Sequence, residues 1–207
     1  MKTLKKMLSV VLVTAMMITV FAGCGAKVSP AESTKIYLDV VFKGDKKDIS
    51  KIGMTEEDFN KVRTELEDSM MKQMAGASFN LSEEEKNTFK DKILEGYSKI
   101  EYTVGEGKEE GDTATVELKM KGFDLNKIME KVQTQVKEEV AKNPSLATSQ
   151  KDAVSLSFKI TGDAFAEGIL VDEAKTVSLK LNKNKDKNTW EVDSSAFGDL
   201  LSALIRM

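Results

Sequence analysis

Ser69-Met70-Met71-Lys72 matches the spacing of a catalytic pair. In an S-x-x-K arrangement the lysine amine lies one helical turn from the serine and can take its hydroxyl proton, freeing the oxygen to attack an acyl group. The companion motifs S-D-N and K-T-G are absent, and the pair falls inside a charged amphipathic stretch where Ser and Lys belong on the wet face. Cys24 is the single cysteine and the best nucleophile or soft-metal ligand in the chain. Histidine is absent altogether. That excludes Ser-His-Asp and Cys-His catalysis, zincin helices and His-ligated zinc. An enzyme built on this chain has carboxylates, Lys, Tyr, Ser and Arg to work with.

Two charged clusters complete the inventory. Glu106, Glu109, Glu110 and Asp112 crowd a glycine-rich stretch, Gly105 to Asp112, that reads as a polar turn. The run lacks the D-x-[DN]-x-[DN]-G order of a calcium loop, so the expectation is a solvated acidic turn with no metal and no cofactor. Lys183, Lys185 and Lys187 alternate with Asn and Asp in a second turn, Asn182 to Asn188. They offer contact with cell-wall anions or lipid headgroups, or ordinary Asn/Asp turn chemistry.

The elements that must position these residues follow from hydrophobic period. Ala31 to Lys43 reads as helix, with Ile36, Tyr37, Val40 and Val41 on one face and Gly44-Asp45 as its stop. Asp45 to Gly53 reads as a turn or brief helix. Thr55 caps a helix with acids in its first turn and a stripe of Phe59, Val62, Leu66, Met70 and Met74, ended by Gly76. Ser82-Glu83-Glu84-Glu85 is a capping box opening a helix that turns Phe89, Ile93 and Tyr97 inward. The period then changes to that of a strand. Ile100, Tyr102 and Val104 alternate with polar residues, as do Ala114, Val116, Leu118 and Met120, predicting a β-hairpin with one buried face. Asp124 caps a helix carrying Leu125, Ile128, Met129, Val132, Val136 and Val140, closed by Asn143-Pro144. Ser145 to Glu173 fits both periods; the apolar spacing that continues to Ile169 favours helix. Val177, Leu179 and Leu181 pair with Trp190 and Val192 in a second hairpin. Ser194 or Ser195 then caps a last helix bearing Phe197, Leu200, Leu201, Leu204 and Ile205.

The expected fold class is therefore α+β. Two hairpins join into one antiparallel sheet, the helices pack on one face, and a mostly helical insertion, 124–173, lies between the hairpins. Tyr37, Tyr97, Tyr102 and Trp190 are candidates to line an apolar pocket between sheet and helices, against the alternative that they fill the core. The Met70, Met71 and Met74 stripe offers an adaptable binding groove or, again, core.

The N-terminus sets the location. Met1 to Lys6 carry three lysines and no acid, and Met7 to Ala22 run apolar apart from Ser9, Thr14 and Thr19. That is the layout of a secretory leader, short of the roughly 20 apolar residues a spanning helix needs. Phe21-Ala22-Gly23-Cys24 resembles the lipobox of bacterial lipoproteins, with Phe21 in place of the usual Leu. The resemblance implies a signal peptide over 1–23, diacylglycerol on the Cys24 thiol, and cleavage before Cys24. The lipidated N-terminus and tether span 24–30 and the extracytoplasmic domain 31–207. Fully extended, the six residues Gly25 to Pro30 reach roughly 20 Å. From Cys24 onward there are 28 basic and 34 acidic residues, a net charge near −6. That balance argues against nucleic acid and against electrostatic docking on anionic lipid.

Tyr37-Leu38-Asp39-Val40-Val41-Phe42-Lys43-Gly44-Asp45 resembles the opening helix of small cystatin-like or nuclear-transport-factor-2-like domains. Thr176–Leu181 with Thr189–Val192 is similar to their closing hairpin. The chain as a whole is similar to Gram-positive bacterial lipoproteins of unknown function. The resemblance implies a lipid-anchored cell-membrane protein at the extracytoplasmic face, without nucleic acid as a partner. The leading expectation is a non-enzymatic domain that binds a small ligand, peptide or envelope protein. The rivals are a cell-envelope hydrolase or transferase using carboxylates or Ser69-Lys72, and a structural or immunity-type surface lipoprotein.

Overall fold

Ser29 opens the first helix. Its hydroxyl accepts the Glu32 backbone N–H at 3.1 Å, and Pro30 presets φ at the first helical position. The computed structural model describes residues 28–74 and 81–207. Helix α1 runs over Pro30–Leu38 and widens into one π-helical turn, Asp39–Lys43, which Gly44 ends in the left-handed conformation at φ 62°. A short 3-10 turn, Ile49–Ile52, leads to α2, Glu56–Met74. Thr55 and Asp58 cap α2 reciprocally: the Asp58 N–H donates to Thr55 Oγ1 at 3.1 Å, and the Thr55 N–H to Asp58 Oδ2 at 2.9 Å. Helix α3, Glu83–Tyr97, carries the expected Ser82/Glu85 capping box.

Strands β1 (Glu101–Glu110) and β2 (Thr113–Lys121) form the first hairpin, followed by a two-residue strand β3, Phe123–Asp124. Asp124 caps α4, Leu125–Lys142, through the Lys127 N–H at 3.0 Å. After a 3-10 turn, Ser149 caps α5, Gln150–Ala166. Strands β4 (Lys175–Asn184) and β5 (Thr189–Val192), helix α6 (Phe197–Leu204) and β6 (Ile205–Arg206) complete the chain. The main sheet is antiparallel in the order β1-β2-β4-β5, so the two hairpins do join. A small parallel pair, β3 with β6, ties the C-terminus to the start of the helical insertion.

The sheet has one dry face. Val116, Leu118, Met120, Val177, Leu179 and Leu181 point inward, while Thr115, Glu117, Lys119, Ser178 and Lys180 point to solvent. Helix α1 lies across β1, β2 and β5, and α6 lies against β2 and β4. Beyond them α5 packs against both α3 and α4. Phe123, fully buried, joins the two halves: its ring is 6.0 Å from Tyr97 and 5.0 Å from Phe165, the latter edge-to-face. Phe123→Ala is expected to cost about 3–5 kcal/mol, the usual range for a buried aromatic, read as a lower urea midpoint.

Several expectations are corrected. Gly105 to Asp112 is not a polar turn. Strand β1 continues to Glu110 through a bulge between Val104 and Gly107, and the turn narrows to Gly111-Asp112, with Gly111 at φ 66°. Ladder partners on β2 as far as Thr113 extend the strand despite its polar composition. The second turn also shortens, because β4 runs to Asn184, whose Oδ1 accepts the Asp186 and Lys187 N–H groups. Neither Ser194 nor Ser195 caps the last helical segment. A 3-10 turn, Ser194–Ala196, leads into α6, and Asp193 caps that turn by accepting the Ser195 N–H at 2.8 Å, while α6 itself has no side-chain cap. Met129, Phe197 and Leu201 stay 51%, 41% and 41% exposed. Helix α4 is an outer helix that buries only Ile128 and Val132, and α6 turns Leu200, Ala203 and Leu204 to the sheet instead. The α2 stripe is half-buried at Phe59, Val62 and Leu66, since α2 leans chiefly on the π-helical turn. Val28, ahead of α1, is buried with Ile36 and Ile52.

Candidate functional site

The four aromatic residues expected at a pocket do not converge on one. Tyr97 and Trp190 are core residues, 1% and 3% exposed. Phe42 lies between Tyr97 and Tyr102, 5.8 Å from each ring. Tyr37 meets Phe197 edge-to-face at 6.3 Å. The space between sheet and helices is filled by the residues of α1 and α6, which is why the aromatics pack rather than line. Burial pushes the Tyr37 and Tyr97 hydroxyls well above the ordinary phenol range. Burial and then the bond to Asp39 do the same to Tyr102. All three stay protonated at physiological pH.

Tyr102 instead completes an ionic cluster around Asp39. Its hydroxyl donates to Asp39 Oδ1 at 2.6 Å, Lys43 Nζ donates to the same oxygen at 2.7 Å, and Lys35 Nζ to Oδ2 at 2.6 Å. Lys43 also stands 4.9 Å over the Tyr102 ring. Lys35, Asp39 and Lys43 share one face of the helix at four-residue spacing. That spacing is visible in the sequence, but the reading by hydrophobic period passes over it. Burial alone would raise the Asp39 carboxyl, but the bonds from Lys35, Lys43 and Tyr102 outweigh it and hold it down at about 2, below the usual 3.8. A carboxylate so occupied is an anchor between α1 and β1, not a proton acceptor. Because its folded value lies below its unfolded one, it stabilises the fold above about pH 4, and that contribution is lost as pH falls toward 2. Asp39→Asn is expected to remove on the order of 1–2 kcal/mol at neutral pH, discounted for the exposed lysines. It should also flatten the acid limb of a stability–pH curve measured between pH 2 and 5.

An open concavity lies elsewhere, among α3, α4 and α5. It is a cleft of about 790 Å3 with Leu156, Ile160 and Ala166 among its lining and charged side chains around them. Lys92 and Lys159 reach Asp163 at 3.4 and 3.1 Å, and Lys142 reaches Glu139 at 2.8 Å. Lys99 Nζ donates to the Ala166 carbonyl at 2.5 Å, placing a cation at the C-terminus of α5 where the helix dipole favours it. Burial would raise the Asp163 carboxyl, but Lys159 and Lys92 hold it below the ordinary range. Each of these acids faces a lysine. A hydrolytic carboxylate pair needs one member pushed upward to act as acid. Among the described residues, the carboxylates shifted from their ordinary value are Asp39, Asp58, Glu85, Glu110, Asp124, Asp163 and Asp193, each downward.

The remaining sequence candidates are placed as follows. Ser69 and Lys72 fall on the last turns of α2, and their side chains, with those of Met70, Met71 and Met74, lie outside the described residues. Cys24 and the leader also lie outside them. Among the described residues no group of three or more His, Cys, Asp or Glu side chains is placed to hold a metal ion. In the acidic hairpin, Glu110 pairs with Lys108 at 2.9 Å, and Asp112 with Lys185 of the other turn at 2.5 Å. Lys183 stands 5.9 Å over Trp190. Sequence reasoning missed the cleft, because its walls come from three helices whose relative placement no local pattern encodes.

Fold and site together define an α+β domain with a four-stranded antiparallel sheet and a charge-lined cleft in its helical layer. The family model described as "Domain of unknown function (DUF5105)" matches residues 24–205, and the chain belongs to that family. Among curated proteins nothing matches. The crystal structure at 2.62 Å of ycdA, a candidate lipoprotein from Bacillus subtilis subsp. subtilis str. 168, is similar, with a TM-score of 0.71 and 24% sequence identity. The likeness covers 87% of this chain and 57% of that one, so the chain spans little more than half of that protein's length.

Proposed function

We propose that this protein is a lipoprotein held by diacylglycerol on Cys24 at the extracytoplasmic face of the cell membrane, and that its domain binds a small ligand or envelope protein without catalysing a reaction. The observation that carries the location is the start of the family match at Cys24 itself, the residue marked by the lysine-rich, apolar leader. The candidate lipoprotein of the same fold supports it. Binding rather than catalysis is supported by the cleft, where Asp163 and Glu139 are each paired with lysine and Leu156 stands among the charged lining. The helix laid across a sheet of two hairpins supports the cystatin-like resemblance.

Mass spectrometry of the mature N-terminal peptide tests the anchor: the expected mass is that of Cys24 bearing diacylglycerol. A free Cys24 thiol, or a chain retaining residues 1–23, would overturn it. Labelling of Ser69 by a fluorophosphonate or a fluorescent penicillin would overturn the non-catalytic reading in favour of a Ser-Lys acyl-enzyme.

A further inference from the structure

The place of Val28, the first described residue, bears on which end of the molecule meets the bilayer. Val28 is buried against Ile36 and Ile52. Four residue steps separate it from Cys24, at most about 14 Å of chain. Pro30, two residues on, lies against β1 at Gly107, where an added Cβ would meet the Pro30 ring at 2.8 Å. Gly107 is close to the β1–β2 turn. The β4–β5 turn lies at the same end, because Lys185 reaches Asp112 at 2.5 Å and Lys187 packs over Gly53, next to Ile52. From this end α1 runs down the sheet to Asp39, which meets Tyr102 near the other end of β1.

One rim of the cleft lies at that other end. Lys99 on its rim precedes β1, and Ala166 precedes the approach to β4. The ten residues of β1 separate the two ends by about 33 Å.

We propose that the two hairpin turns are the surface apposed to the lipid headgroups, and that the helical cleft opens away from the membrane toward the cell exterior. This orientation rests on the anchoring at Cys24. The tether is shorter than the sheet is long, so it brings the turn end down and leaves the cleft raised. Nothing in the wet sheet face pulls the domain flat. Lys119, Lys121 and Lys180 are matched there by Glu101, Glu117 and Glu191, and the exposed large apolar residues among the described ones are all outside the sheet. The occupant of the turn end is therefore the bilayer that carries the anchor, and the partner of the cleft must approach from outside.

Single-cysteine labelling tests this in the full-length, membrane-bound protein. An acylated Cys24 does not react with a maleimide, so an introduced cysteine takes the label alone. Asp186→Cys in the second turn, Ser178→Cys midway along the wet face and Glu138→Cys at the cleft all replace exposed side chains. With a fluorescent maleimide and vesicles carrying a headgroup-attached nitroxide, the Asp186→Cys label is expected to be quenched several-fold more than the Glu138→Cys label, with Ser178→Cys between. Equal quenching at the three positions, stronger quenching at Ser178→Cys or Glu138→Cys, or none anywhere overturns the orientation. Labelling of the wild-type chain at Cys24 is a separate result: it removes the anchor, and the orientation with it.

Discussion

Placed behind a leader that is cut without a cysteine, a chain carrying Cys24→Ala is expected to move from the membrane fraction to the medium, while the wild type stays with the membrane. The effect should be close to complete. Each buried methylene of an acyl chain contributes about 0.8 kcal/mol; one chain binds marginally, and two hold stably. Among the described residues no helix is long and apolar enough to cross a membrane. Acids outnumber bases from Cys24 onward, so anionic lipid repels the domain on average. Immunoblots of membrane and medium fractions give the result directly. If the Cys24→Ala chain stays with the membrane, the domain itself is the membrane-binding part and Cys24 is not what holds the protein there.

The repeating elements were legible because their signals are local. Alternation at Ala114, Val116, Leu118 and Met120 marks a one-sided strand whatever its partners, and the Ser82/Glu85 box specifies a helix start within four residues. Ser145–Glu173 fits two periods, and tertiary packing favours the helix: Phe158 stands 5.2 Å from Phe89, edge-to-face, and Ile160 and Phe165 are buried beside it. What stayed illegible depends on a partner far along the chain. Gly105–Glu110 has the composition of a turn, yet β2 supplies a ladder that makes it strand. The Lys35, Asp39 and Lys43 spacing is local, but Tyr102, 63 residues from Asp39, makes it a tie between helix and sheet. Aromatic type alone does not separate a pocket wall from a core, and here the inner sheet face is closed by α1 and α6. The cleft is the extreme case, since three helices must be placed before it exists.

Those placements depend on the junction where the sheet passes into the helical layer, and Gly122 is its narrowest point. Gly122→Ala is expected to leave the domain largely unfolded. A Cβ at this position would lie 2.1 Å from the Ala203 carbonyl oxygen and 2.4 Å from that of Leu204. Both obstacles are backbone at the end of α6, so no side chain can rotate aside. The Gly122 carbonyl also accepts the Val171 N–H at 2.9 Å, which resists a shift of the strand the other way. Opening the seam would separate β3 from β6 and move Phe123 away from Tyr97 and Phe165. Overpacking a core ordinarily costs about 1–3 kcal/mol. A rigid backbone clash on this seam should exceed about 4 kcal/mol, a large part of the roughly 5–15 kcal/mol that holds a domain together. Gly198→Ala is the matched control. It lies in α6 with nothing within 4 Å of its added Cβ, and it should raise stability by up to about 1 kcal/mol through helix propensity. Urea melts of the two variants should therefore move in opposite directions. A wild-type midpoint for Gly122→Ala would mean that α6 does not close on the β2–β3 junction as tightly as the Ala203 and Leu204 carbonyls imply.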